Sequence, residues 1–208
     1  MIPYSYKNFI FDLDGTLIDS KSSIMASLEY ALITKGIEVD LTNEKNIIGP
    51  PLDDVLKKLV PDQNSKLQLD LKKIFIERYD SYEYKNSTIP EGVELILKKL
   101  NELGKNVIVV TNKRTKPTLK IMKMFKCFSG IKDFYCIDSI KNLVSKKLIL
   151  ERVINMKKYK KEETVYVGDT YGDFLAAKYN NIDFVRVYIS LSGAIKVAEM
   201  DYDWVENL

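Results

Sequence analysis

The sequence contains no histidine, and this absence excludes a large part of enzyme chemistry. Imidazole is the commonest general base near neutral pH and a frequent metal ligand. Without it, a Ser-His-Asp type of site and every histidine-based metal site are excluded. Any catalysis must therefore depend on carboxylates, lysines and hydroxyl groups.

Cysteines and long apolar runs are also scarce. The two cysteines, Cys127 and Cys136, are too few for a zinc site and make a disulfide scaffold implausible in a chain of 208 residues. No apolar run approaches the roughly 18 residues of a membrane-spanning helix. The first residues show neither a basic leader nor a small-residue cleavage site. We therefore expect a cytoplasmic protein without a membrane partner.

The charges of the chain are mixed, with a formal net charge of only +3. A balance of this kind gives no reason to expect a nucleic-acid partner, because such partners select for strongly basic surfaces. The numerous lysines are expected on a solvated surface. The oligomeric state is left open by the sequence.

Short apolar runs alternate with segments of helical periodicity through most of the chain. The runs that predict buried strands lie at 8–11, 106–110, 134–137, 164–167 and 184–188. The segments that predict helices between them lie at 91–103, 116–125, 146–156 and 171–179. Strands that alternate with helices indicate an α/β fold, a doubly wound parallel sheet of the Rossmann-like type.

The alternation is interrupted once, between the first and second strands. Over 19–87 the pattern is helical only, with amphipathic stretches at 22–35, 52–60 and 65–82. We predict a small helical cap domain at 19–87, inserted into a core domain formed by 1–18 and 88–208. The alternative is that these helices only cover one face of the sheet.

Two carboxylates follow the first predicted strand in the segment FIFDLDGTLIDS. Asp12 and Asp14 are two positions apart, so in an extended chain both side chains project to one side while Leu13 faces away. Gly15 then permits a tight turn. An Asp-Gly pair is also an ordinary turn signal, but a turn alone does not require two carboxylates that flank a leucine.

Polar residues follow two further predicted strands. Thr111 and Asn112 come directly after the apolar residues of VIVVTNK, and Asp169 and Asp173 lie in VYVGDTYGDF. Each motif alone is weak, since such residues also cap helices and turns. Parallel strands all end at one edge of the sheet, where ligands bind, so we expect the carboxylates and Thr111 to converge there.

Clustered carboxylates cannot all stay ionised without a compensating cation. Magnesium suits a site that offers a few carboxylates together with substrate phosphate oxygens. A lysine is then expected to balance the charge of the phosphate. Lys146, which opens a predicted helix, is the candidate for this role, and Lys147 beside it is the alternative, because the two point in different directions from the helix start.

The motifs DLDGTL, VVTNK, a lysine that opens a helix, and GDTYGD occur in the order of the four signature motifs of the haloacid dehalogenase superfamily. The sequence resembles this superfamily over nearly its whole length. The helical insertion, the segment IIGPPLDDVL and the segment PEGVELILKKL are similar to the phosphoglycolate phosphatase-like branch with a helical cap.

The resemblance implies a magnesium-dependent phosphatase that forms a covalent phosphoaspartate on Asp12. Asp14 would be the general acid and base, and Lys146, Thr111 and Asn112 would bind the phosphoryl group. Mg²⁺ would be bound by the residues that follow the first and fourth strands: Asp12, Asp14 through its backbone carbonyl, Asp169, and Asp173 through the metal's water ligands. Gly49, Pro50 and Pro51 in the cap would lie near the substrate.

The substrate is expected to be a small phosphorylated metabolite, and the sequence leaves its identity open. Phosphoglycolate, a nucleotide, a sugar phosphate and pyrophosphate all remain candidates. A haloalkanoate dehalogenase has no leaving alkoxide to protonate and would not need Asp14. A phosphosugar mutase, or a non-catalytic phosphate-binding regulatory protein on the same fold, is the remaining alternative.

Overall fold

The computed structural model describes residues 5–38, 40–41, 47–61, 65–140 and 145–198. Within these ranges it contains six strands: β1 Asn8–Phe11, β2 Asn106–Thr111, β3 Asp133–Cys136, β4 Thr164–Gly168, β5 Asp183–Ile189 and β6 Ile195–Val197. The helices are α1 Lys21–Thr34, α2 Leu52–Leu59, α3 Ser65–Ser81, α4 Val93–Glu102, α5 Thr115–Met124, α6 Lys146–Lys157 and α7 Tyr171–Asn180.

The six strands form one sheet in the order β3-β2-β1-β4-β5-β6. The first five are parallel, and β6 pairs with β5 in the antiparallel sense. The strand β1 lies between β2 and β4, so the three strands that carry the sequence motifs are neighbours. The predicted doubly wound parallel sheet is confirmed, and β6 is an addition that the sequence pattern did not predict.

Alternate residues of the central strands face two different helical layers. Phe9 and Phe11 pack with side chains of α4 and α5 in one apolar cluster. Ile10 packs with side chains of α6 and α7 in another cluster on the opposite face. Because successive side chains of a strand point to opposite faces, a strand buried on both sides is expected to be apolar at successive positions, as β1 is at Phe9, Ile10 and Phe11.

The helices α1, α2 and α3 are inserted between β1 and β2 and have an apolar cluster of their own. This cluster includes Leu28, Leu56 and Leu71, which are fully buried. The faces of the sheet are covered by α4–α7, so the inserted helices pack mainly on one another.

The two connections of the insertion meet at a short antiparallel bridge. The backbone N–H of Asp19 donates to the carbonyl oxygen of Thr88 (2.9 Å), and the N–H of Thr88 donates to that of Asp19 (3.0 Å). Such a pairing brings the entry and exit of the insertion together. It supports the predicted cap domain at 19–87, whose bounds stay a prediction.

Candidate active site

The first two carboxylates lie at the carboxyl end of β1. The backbone N–H of Asp12 still donates to the carbonyl of Val167 in β4 (2.9 Å), so the sheet fixes the start of the loop. Leu13 is fully buried in the cluster beneath α4 and α5, while Asp12 and Asp14 project away from it. The two carboxylates therefore lie on the same side of the chain, as the alternation of an extended segment requires.

Asp12, Asp169 and Asp173 form a cluster in which one carboxylate oxygen from each lies within 4.8 Å of the others. Asp169 follows β4 directly and accepts a hydrogen bond from the hydroxyl of Thr16 (3.0 Å). Asp173 lies in the first turn of α7, where it forms a reciprocal capping box with Thr170. The end of β4 and the start of α7 thus place the carboxylates of Asp169 and Asp173 next to that of Asp12.

Burial makes this cluster unfavourable for negative charge. It raises the pKa of Asp12 to about 7, against the lowering effect of the nearby Lys146. Burial also raises the pKa of Asp169 well above its ordinary value, and the charges of Asp12 and Asp173 add to that shift. Ionised carboxylates in this position need a compensating cation.

The donor set fits a hard divalent cation. All three groups offer carboxylate oxygens, which Mg²⁺ and Ca²⁺ prefer. Among the described residues, Oδ1 of Asp12 accepts no hydrogen bond of good geometry although it is buried. Both oxygens of Asp173, in contrast, already accept hydrogen bonds from the residues Lys146, Tyr166 and Thr170. Asp12 and Asp169 are therefore the groups with free coordinating capacity, and Asp173 suits a positioning role.

Lys146 is the lysine that reaches the cluster. Its Nζ lies 3.0 Å from Oδ1 of Asp12 and 2.6 Å from Oδ1 of Asp173. Lys147, the alternative from the sequence, is exposed, and its ammonium lies 5.2 Å from the ring centroid of Tyr179 on α7. The direction of the first turn of α6 thus places Lys146 at the carboxylates and Lys147 at the surface. The role of Lys146 in binding the phosphoryl group stays a prediction.

Thr111 is the last residue of β2, the neighbour of β1, and Asn112 follows it. The hydroxyl of Thr111 is buried and accepts a hydrogen bond from the backbone N–H of Lys113 (3.2 Å). The side-chain amide of Asn112 donates to the backbone carbonyl of Gly49 in the insertion (2.9 Å). Asn112 therefore also joins the core to the inserted helices, a contact that the sequence did not reveal.

The carboxylate of Asp14 has partners that sequence reasoning missed. It accepts hydrogen bonds at Oδ1 from the hydroxyl of Ser20 (2.5 Å) and from Nζ of Lys113 (2.7 Å). The same ammonium donates to the hydroxyl of Tyr79 on α3 (2.7 Å) and lies 4.4 Å from the centroid of its ring. Although burial alone would lower it, the pKa of Lys113 is raised above its usual value by Asp14 and Tyr79.

Arg114, the residue after Lys113, forms a second link between the core and the insertion. The guanidinium of Arg114 pairs with both carboxylate oxygens of Asp80 on α3, at 2.6 and 3.1 Å. Lys120 on α5 donates to the backbone carbonyl of Asp80 (2.7 Å). Asp80 is buried, so these contacts carry more weight than an exposed ion pair would. The loop after β2 thus positions the insertion over the carboxylates.

A cavity of about 350 Å³ lies between the core and the insertion. Asp12, Asp14, Thr111, Asn112 and Lys113 line it from the core. From the insertion it is lined by the segment predicted to lie near the substrate, Gly49, Pro50 and Pro51, together with side chains of α1–α3. Asp12 and Asp14 therefore border a space between the core and the insertion that can hold a small ligand.

No helix among the described residues combines the length and the apolar character needed to cross a membrane.

The chain is similar to known proteins over most of its length. The family model for haloacid dehalogenase-like hydrolases matches residues 9–187. The pyrophosphatase PpaX of Halalkalibacterium halodurans is 30% identical over 202 residues, which cover 94% of this chain and 90% of that protein. The phosphoglycolate phosphatase of Vibrio cholerae is 25% identical over 182 residues, which cover 84% of this chain and 80% of that protein.

A solved structure shares the fold. The crystal structure of a predicted phosphatase from Clostridium acetobutylicum superposes with a TM-score of 0.82 over 97% of this chain and 90% of that one, at 23% identity. The family resemblance carried by the four motifs is confirmed, and the phosphatases among the relatives agree with the predicted enzyme class, a phosphoric monoester hydrolase. The chain belongs to the haloacid dehalogenase-like hydrolase family.

Proposed function

We propose that this hydrolase is a Mg²⁺-dependent phosphatase that cleaves a small phosphomonoester through a phosphoaspartate on Asp12. One observation carries the proposal. At the mouth of the sheet, the buried Asp12 meets Asp169 and Lys146 and opens onto the cavity that Asp14 also lines. The proposed nucleophile at the cavity wall thus contacts a candidate cation site and an ammonium group, and a second carboxylate lines the same cavity.

In the first step, Asp12 attacks the phosphorus atom and the bond between phosphorus and the leaving oxygen breaks. Asp14 donates a proton to that oxygen, so the product leaves as an alcohol. In the second step, water attacks the phosphorus of the phosphoaspartate and Asp14 accepts its proton. The Asp12 carboxylate is then released together with inorganic phosphate.

The remaining groups position the reactants and stabilise charge, which is most of what phosphoryl transfer requires. Lys146 and Thr111 would hold the phosphoryl oxygens, together with the backbone amide of Asn112. Bound Mg²⁺, held by Asp12, Asp169 and the backbone carbonyl of Asp14, would neutralise negative charge on the phosphoryl group. Lys113 and Ser20 hold the carboxylate of Asp14 in place.

Release of p-nitrophenol from p-nitrophenyl phosphate tests the proposed activity. We expect turnover with Mg²⁺, loss of turnover after EDTA treatment, and recovery when Mg²⁺ is restored, because the carboxylate cluster cannot hold a phosphate dianion without a cation. A haloacid substrate should release no halide. Turnover that EDTA leaves unchanged would contradict the Mg²⁺ dependence, and no turnover in a broad panel of phosphomonoesters would favour the non-catalytic phosphate-binding alternative.

Gly15 provides a test of the cation site itself. A Cβ atom at Gly15 would lie 2.2 Å from Oδ2 of Asp169, and the residue has a φ of +79°. Gly15→Ala must therefore displace the Asp169 carboxylate. We expect the Mg²⁺ concentration for half-maximal activity to rise about 10- to 100-fold, the range found when the support of a metal ligand is disturbed.

Gly36→Ala is the matched control for this variant. Gly36 has a similar φ of +67°, but a Cβ atom there would meet no atom within 4 Å. Both variants should lose about 1 kcal/mol or somewhat more of stability from the positive φ, measured by thermal unfolding. An equal Mg²⁺ requirement in the two variants would show that Asp169 does not hold the cation.

A further inference from the structure

The cavity extends beyond the carboxylates into the insertion, where most of the lining side chains are apolar. Ile24 and Leu28 on α1, Val55 on α2 and Phe75 on α3 line it, together with Ile47. The volume of about 350 Å³ lies near the lower end of the range of roughly 300–1,000 Å³ for small-molecule sites. The space therefore accepts an organic group next to the phosphoryl group.

Each cation among the described residues of the wall has a carboxylate partner. Among the described lining residues, the positively charged ones are Lys72, Lys113 and Arg114. Each has a carboxylate partner: Nζ of Lys72 lies 2.7 Å from Asp53, and the other two residues pair with Asp14 and Asp80. A second negative charge on the substrate would thus find no uncommitted ammonium or guanidinium group among these residues.

Negative charge also predominates in the lining. Four carboxylates line the described cavity, namely Asp12, Asp14, Asp53 and Asp138, against the three cations. Asp12, Asp169 and the backbone carbonyl of Asp14 would hold a Mg²⁺ that offsets the charge of the phosphoryl group, and not that of a second anionic group bound among the apolar side chains. Burying an unpaired charge against apolar side chains is strongly unfavourable, whereas burying apolar surface there is favourable.

From these observations we infer that the substrate is a phosphomonoester whose leaving group is uncharged and apolar, an alkyl or aryl alcohol. The inference rests on the proposed phosphatase activity. Such a leaving group differs from those of the substrates for which two relatives are named, because pyrophosphate and phosphoglycolate have anionic leaving groups. The apolar side chains of the insertion bind the leaving group, and Asp14 protonates its oxygen.

A series of n-alkyl phosphates from ethyl to hexyl tests the inference. Their leaving alcohols have similar acidity, so differences in kcat/KM report binding of the alkyl chain. Each added methylene is expected to raise kcat/KM about fourfold until the cavity is filled, which corresponds to about 0.8 kcal/mol per buried CH₂. Phosphoglycolate and pyrophosphate should be cleaved more slowly than propyl phosphate, each by about tenfold or more.

Two variants on α1 provide the matched comparison. Ile24 lines the cavity, whereas Ile33 is 74% exposed to solvent and does not line it. Ile24→Thr should reduce the ratio of kcat/KM for hexyl phosphate to that for ethyl phosphate, and Ile33→Thr should leave the ratio at its wild-type value. An equal reduction of this ratio in the two variants would contradict the inference that Ile24 contacts the alkyl chain.

The outcomes separate the two proposals. If p-nitrophenyl phosphate is cleaved but chain length has no effect, or phosphoglycolate or pyrophosphate is preferred over every alkyl phosphate, the inference on the leaving group is wrong and the phosphatase activity stands. If no phosphate compound is cleaved in the presence of Mg²⁺, the proposed function is wrong and the inference falls with it.

Discussion

Asp12→Asn is expected to abolish turnover, with a loss of about 10⁴-fold or more in kcat, the scale reached when a covalent nucleophile is removed. An amide has nearly the shape of the carboxylate but cannot attack phosphorus under these conditions. Asp12 is buried beside Asp173 and Asp169, where burial makes its ionisation unfavourable, and the substitution removes that cost. We therefore expect Asp12→Asn to lose activity without losing stability.

Thermal unfolding in metal-free buffer distinguishes this result from misfolding. Burial raises the pKa of Asp12 to about 7, so the ionised carboxylate is disfavoured in the folded protein without a cation. Lys146 keeps Asp173 as a partner at 2.6 Å when the charge of Asp12 is removed. The melting temperature of Asp12→Asn should equal or exceed that of the wild type. Retained activity in a folded Asp12→Asn protein would assign the nucleophile to another residue.

The second large effect is expected at Lys146. Lys146→Met keeps most of the side-chain volume but removes the ammonium that lies next to Asp12 and Asp173. Loss of a preorganised group that stabilises transition-state charge costs about 10²- to 10³-fold in kcat. We expect a decrease of that size at saturating Mg²⁺, measured with p-nitrophenyl phosphate.

Lys147→Met is the matched control for the lysine. Lys147 is exposed and its ammonium contacts the ring of Tyr179 rather than the carboxylates. Its substitution should change stability by no more than about 0.5 kcal/mol, as for ordinary surface positions, and should leave kcat close to the wild-type value. A neutral Lys146→Met together with a severe Lys147→Met would reverse the assignment.

The sequence was most informative where catalytic residue types directly follow a predicted strand. The strand β1 has three successive apolar residues, Phe9 to Phe11, and is followed at once by the Asp12–Asp14 segment, so its burial and its role at the sheet edge could both be predicted. The five predicted strands and the helices α1–α7 differ from the structure by one or two residues at their ends. The strand β6, with only three residues that are half-buried or exposed, offers too short a pattern to recognise.

Contacts between the core and the insertion could not be predicted in the same way. Lys113 stands in the motif VVTNK, but its partners Asp14 and Tyr79 are 99 and 34 positions away in the chain. The pair of Arg114 and Asp80 is separated by 34 positions as well. Such contacts depend on how α3 lies over the sheet, and neither periodicity nor local spacing reports that arrangement.

The fold alone does not decide between the proposed phosphatase and the mutase or regulatory alternatives, because many functions share one fold. Both Asp12 and Asp14 are present and line a cavity, which favours catalysis over simple phosphate binding. The cytoplasmic location expected from the sequence stays a prediction, and the oligomeric state is open.

Trapping of the phosphoenzyme tests the central claim most directly. Wild-type protein and Asp14→Asn are mixed with Mg²⁺ and p-nitrophenyl phosphate, quenched in acid and digested for mass spectrometry. We predict one phosphoryl group on the peptide that contains Asp12, in larger amount in Asp14→Asn because the group that activates water for the second step is missing. A phosphoryl group on another peptide, or turnover with no trapped phosphoenzyme in either protein, would contradict the account.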